Sequence, residues 1–442
     1  MFEVKESVTK FMKKYGMSYE SIDMNQSCQI FIEEMKRGLD GEESSLRMIP
    51  TYIYVNTESL DSEPIIVIDA GGTNLRTALV HFDGDGNPLI ENFEIHPMPG
   101  SQGIITRDEF FQTIAKSILP LLHKSSKIGF CFSYPTEMLP NKDGRLIKFS
   151  KEVQAAGVEG ELIGAGLLNT IEKMSGIRPQ KSILLNDTVA TLLGGRAAFP
   201  DRVYDSYAGF ILGTGTNTCY AEEVENIGKL SKKAAPKGSM LINIESGAYG
   251  KVGRGILDVE FDNTTVNPNE YIFEKMISGG YQGGLMLTII KRAAEDGLFS
   301  CVFSETIRNI KNLASRDIDD FLYYPYKSGN ILSDCCSGAK TDDGQADRMT
   351  LYFLADAQME RAAKLTAINL AAVMLKTGKG KNPCKPVCIS AEGTTFYKSK
   401  FLRSKLDYYV KTFMNEEKGI YCEFVQTKDA TLIGTAIAAL TD

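Results

Sequence analysis

The sequence predicts an α/β protein built of two related halves that face each other, and three observations predict it. The chain has 442 residues, more than one hydrophobic core usually organises. An unusual recipe, an apolar strand, a Gly/Thr/Asn turn and a second strand, occurs twice, in "IIVIDAGGTNLRTALVHF" at residues 65–82 and in "YAGFILGTGTNTCYAEE" at residues 207–223. Long Ala- and Leu-rich stretches with apolar residues at helical spacing supply the other layer.

Each element has its own warrant. At the amino terminus Phe2, Val8, Phe11 and Met12 stand among charges, the pattern of an amphipathic helix and not of a signal-peptide core. After the first hairpin, "DGDGNPLIENFE" puts Asp83, Asp85, Asn87 and Glu94 at calcium-loop spacing, but Pro88 replaces the Gly such a loop needs, so the segment reads as a turn. "SILLNDTVATLLGG" is a strand running into a helix that starts near Thr188. Residues 360–376, "ERAAKLTAINLAAVMLK", read as a buried helix, and "TLIGTAIAAL" at residues 431–440 as a small-residue helix able to pack tightly on a sheet. "TDDGQAD" and "KTGKGKNP" are clusters of turn residues and read as loops. No long low-complexity linker intervenes, so the halves are expected to exchange chain segments through hinges.

Composition narrows the function. With 43% hydrophobic and 24% charged residues the chain is an ordinary globular one. A formal charge of −7 argues against a nucleic-acid surface, which needs clustered Lys and Arg. No apolar run approaches the ~20 residues of a membrane span, which leaves the cytoplasm as the expected compartment. The nine cysteines show no CxxC pairing, and His81, His96 and His123 lie far apart. Neither a disulfide framework nor a structural zinc is expected.

The glycine hairpins suit phosphate. A turn rich in backbone N–H groups and bare of side chains lets an anion approach the main chain. Gly71, Gly72 and Thr73 meet that need, and Gly213, Thr214, Gly215 and Thr216 meet it again. Asp69, at the end of a strand, can hold hydrated magnesium, which takes few protein carboxylates, and Arg76 offers a cation to the phosphates. A single Gly-Gly-Thr turn reads first as a plain β-turn; the repetition reverses that reading and makes a pair of clamps on one nucleotide. There is no G-x-x-x-x-G-K-[ST], and "GTGTNT" lacks the third Gly of a dinucleotide fingerprint, so phosphoryl transfer is favoured over hydride transfer.

Asn186 and Asp187 stand between strand and helix, where either is also a good N-cap. A kinase acting on an alcohol needs a carboxylate to accept the hydroxyl proton, and Asp187 is available for it. A bound sugar needs many hydrogen bonds, for which Asn217, Glu245 and Glu274 are candidates alongside their bland reading as capping or solvated residues.

In order along the chain, "EEMKRGL", "SSLRMIPTY", "IDAGGTNLR", "GFCFSYP", "LLNDTVATLL", "LGTGTNTCY", "INIESGAYG", "FEKMISGGY", "ERAAKL" and "AEGTTFYKS" resemble the hexokinase family of the eukaryotic type. The resemblance implies an actin-like, ribonuclease-H-like sugar kinase fold with a central active-site cleft. Its smaller domain would be residues 56–187 plus 429–442 and its larger one residues 1–55 plus 188–428. It implies Asp69, Gly71, Gly72, Thr73, Asn74 and Arg76 as the first phosphate motif, Gly213, Thr214, Gly215 and Thr216 as the second, and Gly393 with Thr394 as the adenosine motif. Ser133, Ser150, Lys151, Asn186, Asp187, Asn217, Glu245 and Glu274 stand where the family binds its hexose. Asp187 is at the catalytic base, with Lys151 and Arg76 stabilising charge.

The implied reaction is transfer of the γ-phosphoryl group of ATP, with Mg2+, to the 6-hydroxyl of a hexose, glucose or else mannose or fructose, feeding glycolysis. The implied assembly is a monomer or homodimer. The family's Trp-Thr-Lys-Gly-Phe reads "FSKEV" here, with Phe149 as the aromatic wall, and its Asp-Gly-Ser reads "AEGTT". The rival readings are a catalytically weak sugar-sensing protein and an actin-like ATPase that serves protein partners.

Overall fold

The structure is a computed structural model that describes residues 2–55, 63–149, 153–199, 201–230, 237–336 and 342–440. It contains two principal sheets, and they repeat one plan. In the first, β2 (Ile65–Gly71) pairs antiparallel with β3 (Asn74–Phe82), which pairs antiparallel with β4 (Pro88–Pro97). On its other side β2 runs parallel to β5 (Lys127–Phe132), and β5 parallel to β6 (Lys181–Leu185). The second sheet has β7 (Ser206–Leu212) antiparallel to β8 (Thr216–Glu223) and β8 antiparallel to β9 (Ser239–Asn243). There β7 runs parallel to β10 (Val387–Glu392), and β10 parallel to β11 (Cys422–Val425). Order and sense match strand for strand, so the two hairpins occupy equivalent places. The second sheet carries one addition, β1 (Ile49–Tyr54), antiparallel on β9.

Strand periodicity decides which side each residue serves. Along β2, Ile66, Ile68 and Ala70 join a core with Phe110, Phe111 and Ile114 of α1 (Arg107–Ile118), and with Ile163, Leu167 and Ile171 of α2 (Ile163–Ser175). Ile65 and Val67 face the other way, into a core with α3 (Asp187–Ala197) and α4 (Ala430–Leu440). Asp69, next in the same alternation, is thereby aimed at the start of α4.

Helices α3 and α4 form the layers between the two sheets. A Cβ on Gly129 of β5 would fall 2.5 Å from the Thr435 carbonyl oxygen of α4, and one on Gly209 of β7 would fall 2.3 Å from the Thr188 carbonyl oxygen of α3. The helices cross each other as closely: a Cβ on Gly434 would lie 1.8 Å from the Ala190 oxygen, and one on Gly194 would lie 2.3 Å from the Ala430 oxygen. The small residues of "TLIGTAIAAL" thus serve a helix on a sheet and a helix on a helix at once.

The helix expected at residues 360–376 is the end of a 36-residue helix, α5 (Asp342–Thr377), buried against the second sheet. It takes in most of "TDDGQAD", which the turn residues had marked as a loop. Asp is as good in the first turn of a helix, where it faces the positive end of the dipole, and Asp347 is fixed by Ser300, whose backbone N–H donates at 2.8 Å and whose hydroxyl donates at 2.6 Å. The amino-terminal segment is helical from Phe2 to Lys14, as its pattern predicts. At residues 83–87 the Asp83 carboxylate accepts from the Asp85 and Asn87 backbone N–H groups and forms a turn. All nine cysteines are without disulfides, and no described helix is long and apolar enough to cross a membrane.

Candidate active site

Asp187 is the first residue of α3, and Asn186 is its N-cap, accepting from the Thr188 N–H at 2.9 Å. Capping and site chemistry therefore coincide, since the cap turns Asp187 into the space between the sheets. Burial raises the Asp187 carboxyl to about 6, against the Ser133 hydroxyl beside it and with help from the Asp69 and Glu245 charges. A carboxyl in that range is ionised at neutral pH yet basic enough to take a proton.

Asp69 is buried and pairs with Arg76 directly across the hairpin, at 3.2 Å. The Thr431 hydroxyl of α4 donates to the same oxygen at 3.2 Å. Its carboxyl is raised, burial outweighing the neighbouring guanidinium. The tip beyond it is open: Gly72, Thr73 and Asn74 are exposed, and Gly72 has φ +57°, which glycine adopts without strain. Gly71 sits over Ser133, whose hydroxyl oxygen would be 3.1 Å from an added Cβ. Ser133 therefore lies between the first hairpin and Asp187.

The second hairpin is held from behind. Gly213 O accepts from the Gly279 N–H at 2.8 Å and from the Thr395 hydroxyl at 2.8 Å, and Thr214 O accepts from the Gly280 N–H at 3.0 Å. Gly393 has φ +114° and would bring a Cβ within 2.2 Å of Leu212 O, so only glycine lets β10 end against this turn. Thr214 and Thr394 open onto a cleft of about 590 Å³ with Gly279, Gly280, Thr395 and Lys398 on its walls. Thr214 presents the exposed side chain; Thr216 spends its N–H on Glu274 at 2.9 Å and its hydroxyl on Ile211 O at 2.9 Å. Thr216 thus serves the hairpin's shape.

Between the hairpins lies a compact cluster of amides and carboxylates. The Asn217 amide nitrogen donates to Asn243 at 2.8 Å, to Glu245 at 3.3 Å and to Asn186 at 3.4 Å. Asn243 donates to the same Glu245 oxygen at 2.8 Å. Glu245 adopts φ +58°, a left-handed backbone uncommon outside glycine and characteristic of sites whose surroundings fix it. Burial raises both acids, Glu245 against the Asn243 and Asn217 amides and Glu274 to about 7 against the Thr216 N–H. Glu274 is why Gly215 is glycine: a Cβ there would fall 2.5 Å from its carboxylate.

Ser150 and Lys151 lie outside the described residues. Phe149, half-buried, packs against the first half's aromatic core, with ring centroids 5.2 Å from Tyr134 and 5.5 Å from Phe110. Asn243 and Thr431 are additions of the structure. The first was readable, being two residues before Glu245 in a strand-like run; the second was not.

Family models described as hexokinase match residues 7–197 and residues 207–441, the latter more than half of the chain. The chain belongs to the hexokinase family. Mouse hexokinase-3 is 30% identical over 382 residues, covering 82% of this chain and 40% of the relative. Human hexokinase-2 is 28% identical, covering 96% of this chain and 47% of the relative. The chain spans less than half the length of these mammalian relatives. Against hexokinase-1 of Schizosaccharomyces pombe, 26% identical, the match covers 92% of the chain and 85% of the relative. A solved hexokinase from Schistosoma mansoni complexed with glucose superposes with TM-score 0.76 at 23% identity, covering 100% of this chain and 99% of that one. A second hexokinase crystal structure gives TM-score 0.78 at 20% identity, over the full length of both. The fold is accordingly the actin-like arrangement of hexokinases.

Proposed function

We propose that this chain is an ATP-dependent hexose kinase that phosphorylates the 6-hydroxyl of its sugar. The observation that carries the reading is the place of Asp187, between an exposed phosphate-type hairpin and a cluster of half-buried amides and carboxylates suited to vicinal hydroxyls. In the proposed step the sugar O6 forms a bond to the γ-phosphorus, the bridging bond to ADP breaks, and the hydroxyl proton passes to Asp187. The backbone donors of the two hairpins, Arg76 and Lys151 spread the developing charge. Asn186, Asn217, Glu245 and Glu274 hold the sugar hydroxyls, with Ser133, Ser150 and Lys151 closing from the first half, and Gly393 and Thr394 border the adenosine.

Magnesium brought with the triphosphate would screen its charge. Asp69 fits it as a single hard oxygen ligand acting through water, and no group of three metal-binding side chains exists among the described residues to make a protein cage. With the chain divided into residues 56–187 plus 429–442 and residues 1–55 plus 188–428, the crossings at 187/188 and 428/429 fall at the starts of α3 and α4, and on this reading sugar binding closes the cleft there and excludes water. Glucose is the first candidate, with mannose and fructose next, and a role in glycolysis follows from that choice.

Two measurements test the reading. A 6-deoxyhexose lacks the acceptor hydroxyl and should inhibit competitively without yielding phosphosugar; its phosphorylation at another position would overturn the assignment of O6. The pH dependence tests the base. Asp187 works only when ionised and its carboxyl sits at about 6, so kcat/KM for the hexose should fall by about tenfold per pH unit on the acid side of that value. A flat profile from about pH 7 to 5 would remove a carboxylate base of this kind.

A further inference from the structure

One buried chain of polar groups is not used by the mechanism. Asn369 lies in the Ala- and Leu-rich part of α5 and is wholly buried, as are Thr218 of β8 and Ser246 in the turn after Glu245. The Asn369 amide nitrogen donates to the Thr218 hydroxyl at 2.7 Å, and the Thr218 and Ser246 hydroxyls share a hydrogen bond at 3.1 Å. The backbone N–H groups of the same two residues, Thr218 at 2.7 Å and Ser246 at 3.3 Å, converge on the Asn217 side-chain oxygen. Backbone N–H groups only donate, so the oxygen of Asn217 must face them and its NH2 must face Asn186, Asn243 and Glu245. The turn Ser246–Ala248 also abuts Glu274: a Cβ on Gly247 would lie 3.2 Å from its carboxylate.

The side-chain oxygen of Asn369 is buried and has no hydrogen-bond partner among the described residues. For packing alone an Ala or Leu would serve this helix better, because an unsatisfied buried acceptor is costly. What Asn contributes is its donor. We propose that Asn369 is a positioning residue for the sugar cleft, acting through Thr218 and Ser246 to lock the Asn217 amide and the left-handed Glu245 in the arrangement that meets the hexose. The inference deepens the hexose-kinase reading and rests on it.

Asn369→Leu keeps the side chain's size while removing both the donor and the orphan acceptor. It should raise the hexose KM roughly tenfold, with kcat and the nucleotide KM within about twofold, the pattern of a lost contact that holds ground and transition states equally. The melting temperature should stay level or rise. The chain has no Trp, so hexose affinity itself is read by calorimetry. Thr218→Val should reproduce the loss, and Thr218→Ser, which keeps the hydroxyl, should restore wild-type affinity. An unchanged hexose KM in Asn369→Leu, or a joint fall of every kinetic parameter with the melting temperature, would reduce Asn369 to a packing residue.

Hydrogen exchange of peptides covering residues 217–219 and 244–250 reads the clamp without any sugar. Exchange should quicken there in Asn369→Leu, and unchanged exchange overturns the proposal even if the wild type phosphorylates no hexose. That last result alone would instead count against the hexose-kinase reading.

Discussion

Asp187→Asn is expected to lower hexose phosphorylation by about 10²- to 10⁴-fold, the range a positioned general base contributes, while ATP affinity stays within about twofold of wild type. The expectation is specific because the substitution spares the structure. Asn186, and not Asp187, caps α3, and an Asn oxygen can still accept the Thr188 N–H that Asp187 accepts at 2.7 Å. Only basicity is removed. Burial raises the Asp187 carboxyl, so its ionised form is held at a cost to the fold. A group of that kind binds its proton more readily folded than unfolded, and its contribution to stability declines as pH rises from the ordinary carboxylate range through about 6. The neutral amide relieves that cost, and the variant should melt at or above the wild-type temperature at neutral pH. Near-normal turnover in a well-folded Asp187→Asn protein would remove Asp187 from the role of base.

The second large effect is expected where no substrate reaches. Gly434→Val should lower the melting temperature by about 10 °C or more, because overpacking against immovable backbone exceeds the usual 1–3 kcal/mol. The first added atom would meet the Ala190 oxygen at 1.8 Å, and at Gly194 beside it an added atom would still meet the Ala430 oxygen at 2.3 Å. This crossing also sets the site: α3 begins with Asp187, and α4 carries the Thr431 that bonds Asp69. Gly84→Ala is the control, since a Cβ there meets nothing within 4 Å. Thermal denaturation of the pair decides the matter, and a wild-type melting temperature for Gly434→Val would refute the close crossing.

The two hairpins were legible in the sequence because everything that makes them is local: alternating apolar residues, a glycine turn, and the return strand. Their equivalence in the two sheets followed from the repetition. Asn186 as cap, Asp187 beside it, and Asn217 and Glu245 as cluster members were readable for the same reason, each lying at a strand end or turn. The contacts that complete the site are not local. Thr431 reaches Asp69 across 362 positions, and Asn369 reaches Thr218 across 151; nothing in "TLIGTAIAAL" or "ERAAKLTAINLAAVMLK" separates these polar residues from helix filler. "TDDGQAD" misled because the acidic residues that favour turns also favour helix starts, and the packing of Asp347 on Ser300 decided between them.

The most direct test of the central claim is ADP release by the purified protein with ATP and magnesium, across a panel of hexoses and a sugar-free blank, with the sugar product identified by mass spectrometry. The account predicts ADP release that depends on a hexose and is matched mole for mole by hexose phosphate. ADP released equally in the blank, with no phosphorylated sugar, would contradict it and point to an ATPase of the same fold. Silence with every hexose, in protein shown to be folded, would contradict it in favour of a sugar-binding protein without turnover.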